Sequence, residues 1–253
     1  SDFEVNRLPS KVLVFSVTTV GLLHNSIFVS STPEILRSLG ESENLAGLLI
    51  AAGSVPGIVV APLIGFLADR FGRKKVLVPC LVVYGIFGLL VGLSPSLFWF
   101  LLIRIFQGLG SAGLINLVVV IISDNWASLD RARLIGQNAA AITISVAIYP
   151  VVGGVITDLI GWRWVFLAFL APLVVAFFVS KNLQDHQPRS DVSVREQISG
   201  AFSEIVKPAI ATNLVIVIIL FMAIFGLFQS LLPVHLEREF GLLPTGRGLV
   251  ASA

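Results

Sequence analysis

The sequence predicts an all-α integral membrane protein, and two observations support that fold class. Hydrophobic residues make up 56% of the 253 residues and charged residues only 13%, whereas about a quarter of the residues of a soluble domain are charged. The apolar residues also gather in runs of about 20, which is the length of helix that crosses a bilayer. An ordinary soluble domain is therefore excluded.

The apolar runs give the order of the predicted helices. Short polar turns separate most of them, and a longer polar segment divides the first six helices from the seventh. The predicted helices cover residues 12–33, 44–66, 76–93, 97–122, 134–158, 161–180 and 208–232, and an eighth begins at about Gly246. We predict a six-helix bundle at 1–180, a linker at 181–207 and a second bundle that starts at 208–253.

Helix 1 is unusually polar at its middle, where His24, Asn25 and Ser26 fall at membrane depth. Polar and ionisable groups are costly there unless they face a cavity or a partner helix. Phe28 lies on the same helical face as His24. We expect this face to border a cavity.

A charged turn follows helix 2 at residues 65–75 (GFLADRFGRKK). We predict positive φ angles at Gly65 and Gly72, at the ends of two helices. Asp69 is an acid placed among basic residues, including Arg70 and Arg73. The alternative is a plain loop that only fixes the orientation in the membrane.

The basic residues predict that orientation, because Lys and Arg in short loops stay on the cytoplasmic side. Of the 17 basic residues, one, Arg104, is predicted to be buried within the membrane, and the others divide unequally between the two sides. The inside segments hold Arg7, Lys11, Arg70, Arg73, Lys74, Lys75, Arg131, Arg133, Lys181, Arg189, Arg195 and Lys207, and the outside segments hold Arg37, Arg163, Arg238 and Arg247. We predict a multi-pass protein of the cell (inner) membrane with a cytoplasmic amino terminus.

The turn at 65–75 closely resembles the signature Gly-x-Leu-Ala-Asp-Arg-x-Gly-Arg-Lys of the major facilitator superfamily. The resemblance implies that it joins helices 2 and 3 on the cytoplasmic side. It further implies that the turn latches the cytoplasmic ends of the two halves of the transporter and gates its inward-closed state. The residues that would form the latch are Gly65, Asp69, Arg70, Gly72 and Arg73.

Helix 4 carries Arg104, whose guanidinium stays protonated and must find a carboxylate, a carbonyl or water. Residues 104–112 (RIFQGLGSA) resemble a second signature of the superfamily, Arg-x-x-Gln-Gly-x-Gly-x-Ala. The resemblance places Arg104 on the proton path, and Gly108 belongs to a small-residue face for helix packing. The alternative is that Arg104 extends to the outer interface.

Helix 5 ends in residues 149–154 (YPVVGG), which resemble the Gly-Pro-x-x-Gly-Gly signature of drug:proton antiporters. Pro150 removes a backbone donor and bends the helix, and Gly153 and Gly154 allow a neighbour to approach. A kink that serves only packing is the alternative. Ser145 and Tyr149 stand where the signature has glycine, which leaves the antiporter branch less secure than the superfamily.

The segments after helix 6 are less apolar. Residues 193–196 (SVRE) form a capping-box pattern followed by apolar residues at helical spacing, which predicts an amphipathic helix on the cytoplasmic face; a disordered linker is the alternative. Residues 233–245 are predicted to be an external loop. Since the sequence stops within helix 8, we expect the second bundle to be truncated.

His24 is the sharpest functional prediction. Residues 23–33 (LHNSIFVSSTP) are similar to the family's helix 1 pattern Leu-Asp-x-Thr-(Val/Ile), and His24 stands at the position of the acid. An imidazole titrates near neutral pH, so His24 would serve proton coupling. A neutral histidine bonded between helices is the alternative.

The resemblance implies a midplane cavity between the two bundles, lined by helices 1, 4, 5 and 7. The candidate cavity residues are uncharged, which favours neutral or cationic amphiphiles over anions. They are Asn25, Phe28, Asn116, Asn138, Tyr149 and Gln229.

Together the signatures imply the major facilitator superfamily fold, with an amino-terminal bundle of two three-helix repeats. The function implied is proton-coupled efflux of a small amphipathic molecule by alternating access. A uniporter, a nutrient symporter and a non-transporting receptor on the same scaffold remain alternatives. We expect no enzymatic activity, since His24, His186 and His235 lie at different depths or sides.

The expected partners are a small-molecule substrate, the proton as coupling ion and the lipid bilayer, with no nucleic acid. We expect a monomer. No cofactor or metal is predicted, and the single cysteine, Cys80, allows no disulfide framework.

Overall fold

The computed structural model describes residues 9–184, 207–221 and 229–252, which form helices joined by short turns. The helices are α1 (Lys11–Ser38), α2 (Glu43–Phe71), α3 (Arg73–Val91), α4 (Leu97–Asn125), α5 (Ser128–Ile160), α6 (Trp162–Asn182), α7 (Pro208–Phe221), α8 (Gln229–Phe240) and α9 (Pro244–Ser252). Six of them, α1 to α6, are long and apolar enough to cross a membrane. The prediction of an all-α membrane protein is confirmed.

Two of the spanning helices are interrupted near their middles. In α1 the α-helical hydrogen bonding is interrupted at Leu22 and again at 27–31, where a 3₁₀ turn leads into the last helical segment. In α4 it is interrupted at 112–113. The two interruptions are adjacent, because a Cβ added at Gly21 would lie 3.3 Å from the Cβ of Leu114.

Several helices extend beyond the predicted bounds. α1 continues to Ser38 and α5 begins at Ser128, so Arg37 and Arg131, predicted in loops, are helical. The apolar run marks only the part of a helix that suits hydrocarbon, and polar turns can prolong it at either end.

The predicted external loop at 233–245 is wrong. α8 is helical through Phe240, and only residues 241–243 separate it from α9. Pro233 lies just one turn into the described helix, where its missing donor costs a single hydrogen bond. Packing of α8 against α1, α2 and α9 outweighs that cost. The predicted amphipathic linker helix lies outside the described residues.

Glycines set how closely α5 packs on its neighbours. A Cβ added at Gly153 would overlap the carbonyl oxygen of Ile27 in the interrupted part of α1. On another face of α5, a Cβ at Gly154 would overlap the carbonyl of Pro244 in α9. The backbone of α5 is therefore in direct contact with both α1 and α9.

We expect Gly153→Ala to lower the thermal unfolding temperature in detergent, because the new methyl group meets backbone that cannot rotate away. Overpacking of this kind costs about 1–3 kcal/mol. Gly136→Ala is the matched control, since a Cβ at Gly136 on the same helix meets nothing within 4 Å. Equal unfolding temperatures for the two variants would contradict the packing described.

Candidate functional site

Arg104 lies at the centre of the bundle and bonds to the interrupted part of α1. Its side chain is 0% exposed. Nη1 donates to the carbonyl of His24 (2.5 Å) and Nη2 donates to Oδ1 of Asn25 (2.8 Å). Nη1 also donates to Gln107 Oε1 (2.7 Å), and the guanidinium lies 4.6 Å from the ring centroid of Phe28. Arg104 therefore points into the bundle and does not extend to an interface.

The acceptors around Arg104 are all neutral. Besides the bonds above, Nε donates to the carbonyl of Leu49 in α2 at 3.4 Å. Within the described parts of the chain, no ion pair to a carboxylate involves Arg104. Gly53 of α2 makes room for the guanidinium, since a Cβ there would lie 2.6 Å from Nη2. One buried cation thus joins α1, α2 and α4 without a counter-charge.

Tyr84 of α3 supports the same interruption from the other side. Its hydroxyl donates to the carbonyl of Val20 and accepts from the backbone amide of His24, both at 2.9 Å. Sequence reasoning missed this residue. The available signal was a tyrosine within an apolar helix, because a buried hydroxyl nearly always finds a partner.

His24 is half-buried beside this cluster. Its Nδ1 lies 3.1 Å from the carbonyl of Gly21, which can only accept a hydrogen bond. The neutral ring therefore carries its proton on Nδ1 and a lone pair on Nε2. The ring contacts that of Tyr84 edge to face, with centroids 5.9 Å apart.

The predicted cavity residues occupy different environments. Asn25 joins Arg104 to Ser54, whose Oγ accepts from Nδ2 at 2.7 Å. Two of the predicted residues on α5 bond to the first part of α1: Asn138 Oδ1 accepts from the Thr18 hydroxyl (2.6 Å), and the Tyr149 hydroxyl donates to the Thr19 carbonyl (2.8 Å).

The other three predicted cavity residues differ in burial and in bonding. Phe28 is fully buried against the rings of Phe100 and Phe166. Asn116 is exposed on α4. Gln229 opens the described part of α8, and its buried Oε1 has no hydrogen-bond partner among the residues that the structure describes.

The glycine and proline residues of the two helix signatures lie at helix contacts. Gly108 of α4 faces α2, where a Cβ would overlap the carbonyl of Gly53. Pro150 accepts a hydrogen bond at its carbonyl oxygen from the hydroxyl of Ser30 (2.9 Å). A Cβ at Gly248 of α9 would overlap that same carbonyl of Pro150. This part of α5 therefore lies between α1 and α9.

The turn between α2 and α3 is shorter than predicted. α2 runs through Gly65 to Phe71, and Gly72 alone, with φ 104°, separates it from α3. The positive φ predicted for Gly65 is wrong: this residue is inside the helix, and a Cβ there meets nothing within 4 Å. The apolar run continues past Gly65, so the helix has no reason to end there.

Arg73 ties three helices together at this turn. It forms ion pairs with Asp69 of α2 and with Asp124 at the end of α4, the latter at 3.3 Å. Arg70 is exposed and lies 5.9 Å from the ring centroid of Phe71. Sequence reasoning placed Asp124 in a loop and missed its pairing, because partners 51 residues apart in sequence leave no local pattern.

Among the described residues, no group of three or more His, Cys, Asp and Glu side chains could hold a metal ion.

The comparisons with known proteins agree on a transporter family. The family model described as Major Facilitator Superfamily matches residues 13–253.

Individual relatives and solved structures resemble the chain at low identity. Multidrug resistance protein 2 of Bacillus subtilis (strain 168) is 24% identical over 240 residues, which cover 92% of this chain and 60% of that protein. The Bacillibactin exporter of the same organism is 30% identical over 160 residues, covering 60% of this chain and 39% of that protein. The chain thus spans 60% of the length of the first relative and 39% of the second.

Among solved structures, the fold is similar to that of a bacterial homolog of the human lysosomal transporter Spinster, in an inward-facing and occupied conformation. The TM-score is 0.77 at 20% identity, over 96% of this chain and 57% of that one. The D-xylose-proton symporter gives a TM-score of 0.67 at 19% identity, over 96% and 64% of the two chains.

We expect Arg104→Met to destabilise the protein by about 3 kcal/mol or more, because it leaves several buried acceptors unpaired. Tyr84→Phe removes one hydroxyl and should cost about 1–2 kcal/mol. Tyr149→Phe, the same change at the chain's other tyrosine, should cost less since Tyr149 is only half-buried. Thermal unfolding in detergent gives the ranking, and an equal loss at both tyrosines would contradict it.

We expect Arg73→Ala to destabilise the protein by about 1 kcal/mol, since its ion pairs are partly exposed. Arg70→Ala, in the same turn, should have no measurable effect. A double-mutant cycle of Arg73→Ala with Asp124→Ala isolates the pair, and additive effects of the two changes would show that these residues do not interact.

Proposed function

The chain belongs to the Major Facilitator Superfamily, and from this premise we propose that it works in proton-coupled efflux of a small amphipathic molecule by alternating access. One observation carries the proposal: buried polar side chains fill the place where α1 and α4 are both interrupted at mid-span. Interrupted helices with polar groups at membrane depth are typical of the substrate and ion sites of secondary transporters. The names of the multidrug and exporter relatives support efflux.

The proposed coupling site is His24 together with Arg104. The Nε2 lone pair of His24 is the group that would accept the proton. A proton there puts a second positive charge beside Arg104, which already donates to the carbonyl of His24. Like charges at such a distance repel each other, and the repulsion would loosen the hold of Arg104 on α1. Proton binding would in this way change the shape of the helix that borders the cavity.

The proposed substrate path runs along the face shared by α1 and α5. Asn138 and Tyr149 of α5 supply neutral polar groups on this face, and Asn25 supplies another that is turned toward α2 and α4. Neutral groups of this kind suit a neutral or cationic amphiphile. Gln229 of α8 adds an acceptor, Oε1, that is unpaired within the described part of the chain. Phe28 would act from behind this face, through its packing.

The proposed cytoplasmic latch lies at the turn between α2 and α3. It would consist of Asp69, Gly72 and Arg73, and Asp124, which pairs with Arg73, would belong to it as well. Arg70 is exposed and available to a partner. The basic residues of this turn favour the cytoplasmic side, which supports an amino terminus inside the cell and an inner-membrane location. We propose a monomer as the working unit.

A symporter or uniporter of the same superfamily is the second candidate. The observation in its favour is that Ser145 and Tyr149 replace glycines of the antiporter signature. Their hydroxyls donate to the Ala141 carbonyl (2.8 Å) and to the Thr19 carbonyl. The dependence of substrate flux on an imposed pH gradient, and the sign of that dependence, distinguishes the candidates.

We expect His24→Ala to abolish flux driven by a pH gradient in proteoliposomes while the protein still inserts. His24→Asn is the sharper variant, because an amide N–H can still donate to the Gly21 carbonyl but cannot titrate. It should keep the stability of the parent protein and lose the coupling. His235→Ala is the matched control, since His235 is exposed on α8.

Unchanged proton coupling in His24→Asn would show that His24 serves only as a hydrogen-bond donor between helices. The coupling site would then have to be sought elsewhere.

A further inference from the structure

The hydroxyl of Tyr84 bonds to two backbone groups of α1 that a regular helix joins to each other. In an α-helix the amide of each residue donates to the carbonyl four residues before it, and the amide of His24 and the carbonyl of Val20 are such a pair. The Tyr84 hydroxyl accepts from that amide and donates to that carbonyl, both at 2.9 Å. A side chain of α3 is thus inserted into the hydrogen bonding of α1, which is a known cause of a break in a helix.

This insertion coincides with the interruption of α1 at Leu22. In a regular helix the carbonyl of Gly21 would accept from the amide of residue 25. Here that carbonyl lies 3.1 Å from Nδ1 of His24 and 3.3 Å from the hydroxyl of Tyr84. The interruption therefore gives the imidazole a backbone acceptor, and this acceptor keeps the proton of the neutral ring on Nδ1.

Tyr84 is held in place by helices other than α1. Its side chain is 0% exposed, and its ring meets that of Phe169 in α6 edge to face, with centroids 5.3 Å apart. A Cβ added at Gly110 of α4 would lie 2.5 Å from the backbone nitrogen of Tyr84, so α3 and α4 are in direct backbone contact there. The position of the hydroxyl is therefore set before it bonds to α1, as a group that orients another side chain requires.

Two polar side chains act on different parts of His24. Arg104 bonds to its carbonyl. Tyr84 bonds to its amide, contacts its ring and lies beside the Gly21 carbonyl to which Nδ1 donates. Arg104 thus holds the backbone after the imidazole, whereas Tyr84 determines the surroundings of the imidazole itself.

We propose that Tyr84 is a positioning residue for the proposed coupling site, because its hydroxyl keeps α1 open at Leu22 and so fixes which nitrogen of His24 is free to take the proton. The proposal rests on the proton-coupled function above. With the hydroxyl in place, Nδ1 is engaged and Nε2 keeps its lone pair. Without it, the amide of His24 and the carbonyl of Val20 bond directly, and the Gly21 carbonyl turns toward the amide of residue 25 and away from Nδ1.

The tautomer of His24 can be observed by nitrogen NMR of protein labelled at its histidine rings and placed in lipid nanodiscs. The chain has three histidines, and subtraction of the spectrum of His24→Asn isolates the signals of His24. In alkaline buffer, where the ring is neutral, we expect the parent protein to hold the Nδ1–H form in large excess. A parent protein with the proton on Nε2 would overturn the proposal without any change at Tyr84.

We expect Tyr84→Phe to lower the ratio of the Nδ1–H form to the Nε2–H form about tenfold, which is the effect of one hydrogen bond on an equilibrium. Phe87→Leu is the matched control on the same helix, because the Phe87 ring stacks on Phe106 of α4 at 5.0 Å. It should lower the thermal unfolding temperature and leave the tautomer as in the parent protein. An unchanged ratio in Tyr84→Phe, or an equal change in both variants, would refute the proposal.

Proton coupling is measured separately in the intact protein, as the flux of ethidium, a fluorescent aromatic cation, with and without an imposed pH gradient. Tyr84→Phe should lower the ratio of these two fluxes several-fold, and Phe87→Leu should keep it. A shifted tautomer with an unchanged flux ratio refutes the positioning role of Tyr84 alone. A parent protein whose ethidium flux does not respond to the pH gradient, but whose tautomer shifts in Tyr84→Phe, refutes the proposed function alone.

Discussion

The hydrogen bonds that Arg104 makes to α1 are the contact on which the rest of the bundle depends. A helix that leaves its regular hydrogen bonding in an apolar environment exposes polar backbone groups, and each unsatisfied group there costs several kcal/mol. Arg104 donates to the carbonyl of His24. The Tyr84 hydroxyl bonds to the carbonyl of Val20 and the amide of His24, which lie on either side of the interruption at Leu22. The irregular part of α1 is stable because two other helices supply what its own backbone has given up.

That arrangement also fixes where α5 can lie. The carbonyl of Ile27, in the irregular part of α1, occupies the space beside Gly153. The same turn of α5 meets α9 through Gly154 and Pro150. A change in the shape of α1 at His24 would therefore displace α5, and α5 would displace α9. The backbones of these helices are in direct contact, so no side chain can rotate to absorb the change.

Hydropathy and charge were enough to predict the membrane class and the order of the helices, because a bilayer restricts a spanning segment to one length and one composition. They were less informative at the helix ends. α1 and α8 extend through charged residues such as Arg37 and Glu237 because those charges find partners on other helices. Likewise, the apolar run that includes Gly65 is helical, although a turn was predicted to begin there.

For the candidate site, the sequence signatures singled out His24, Arg104, Pro150 and Gly153. The structure brings the last three against the irregular part of α1, which contains His24. The sequence could not predict which residues that are far apart in the chain contact each other. Tyr84 and Asp124 carry no signature, and their roles follow only from which helices are neighbours. An arginine within an apolar run predicts a need for acceptors, but it does not say that neutral carbonyls and amides will meet that need.

At the end of the bundle opposite Arg73, three arginines and three glutamates of α1, α2, α8 and α9 pair with one another, and their equal numbers have an electrical consequence. They are Glu34, Arg37, Glu43, Glu237, Arg238 and Arg247. The membrane potential acts on net charge displaced along the membrane normal, at about 2.3 kcal/mol per elementary charge per 100 mV. Three positive and three negative groups that separate sideways displace almost none. A conformational change confined to this end would proceed at nearly the same rate in a polarised and a depolarised cell.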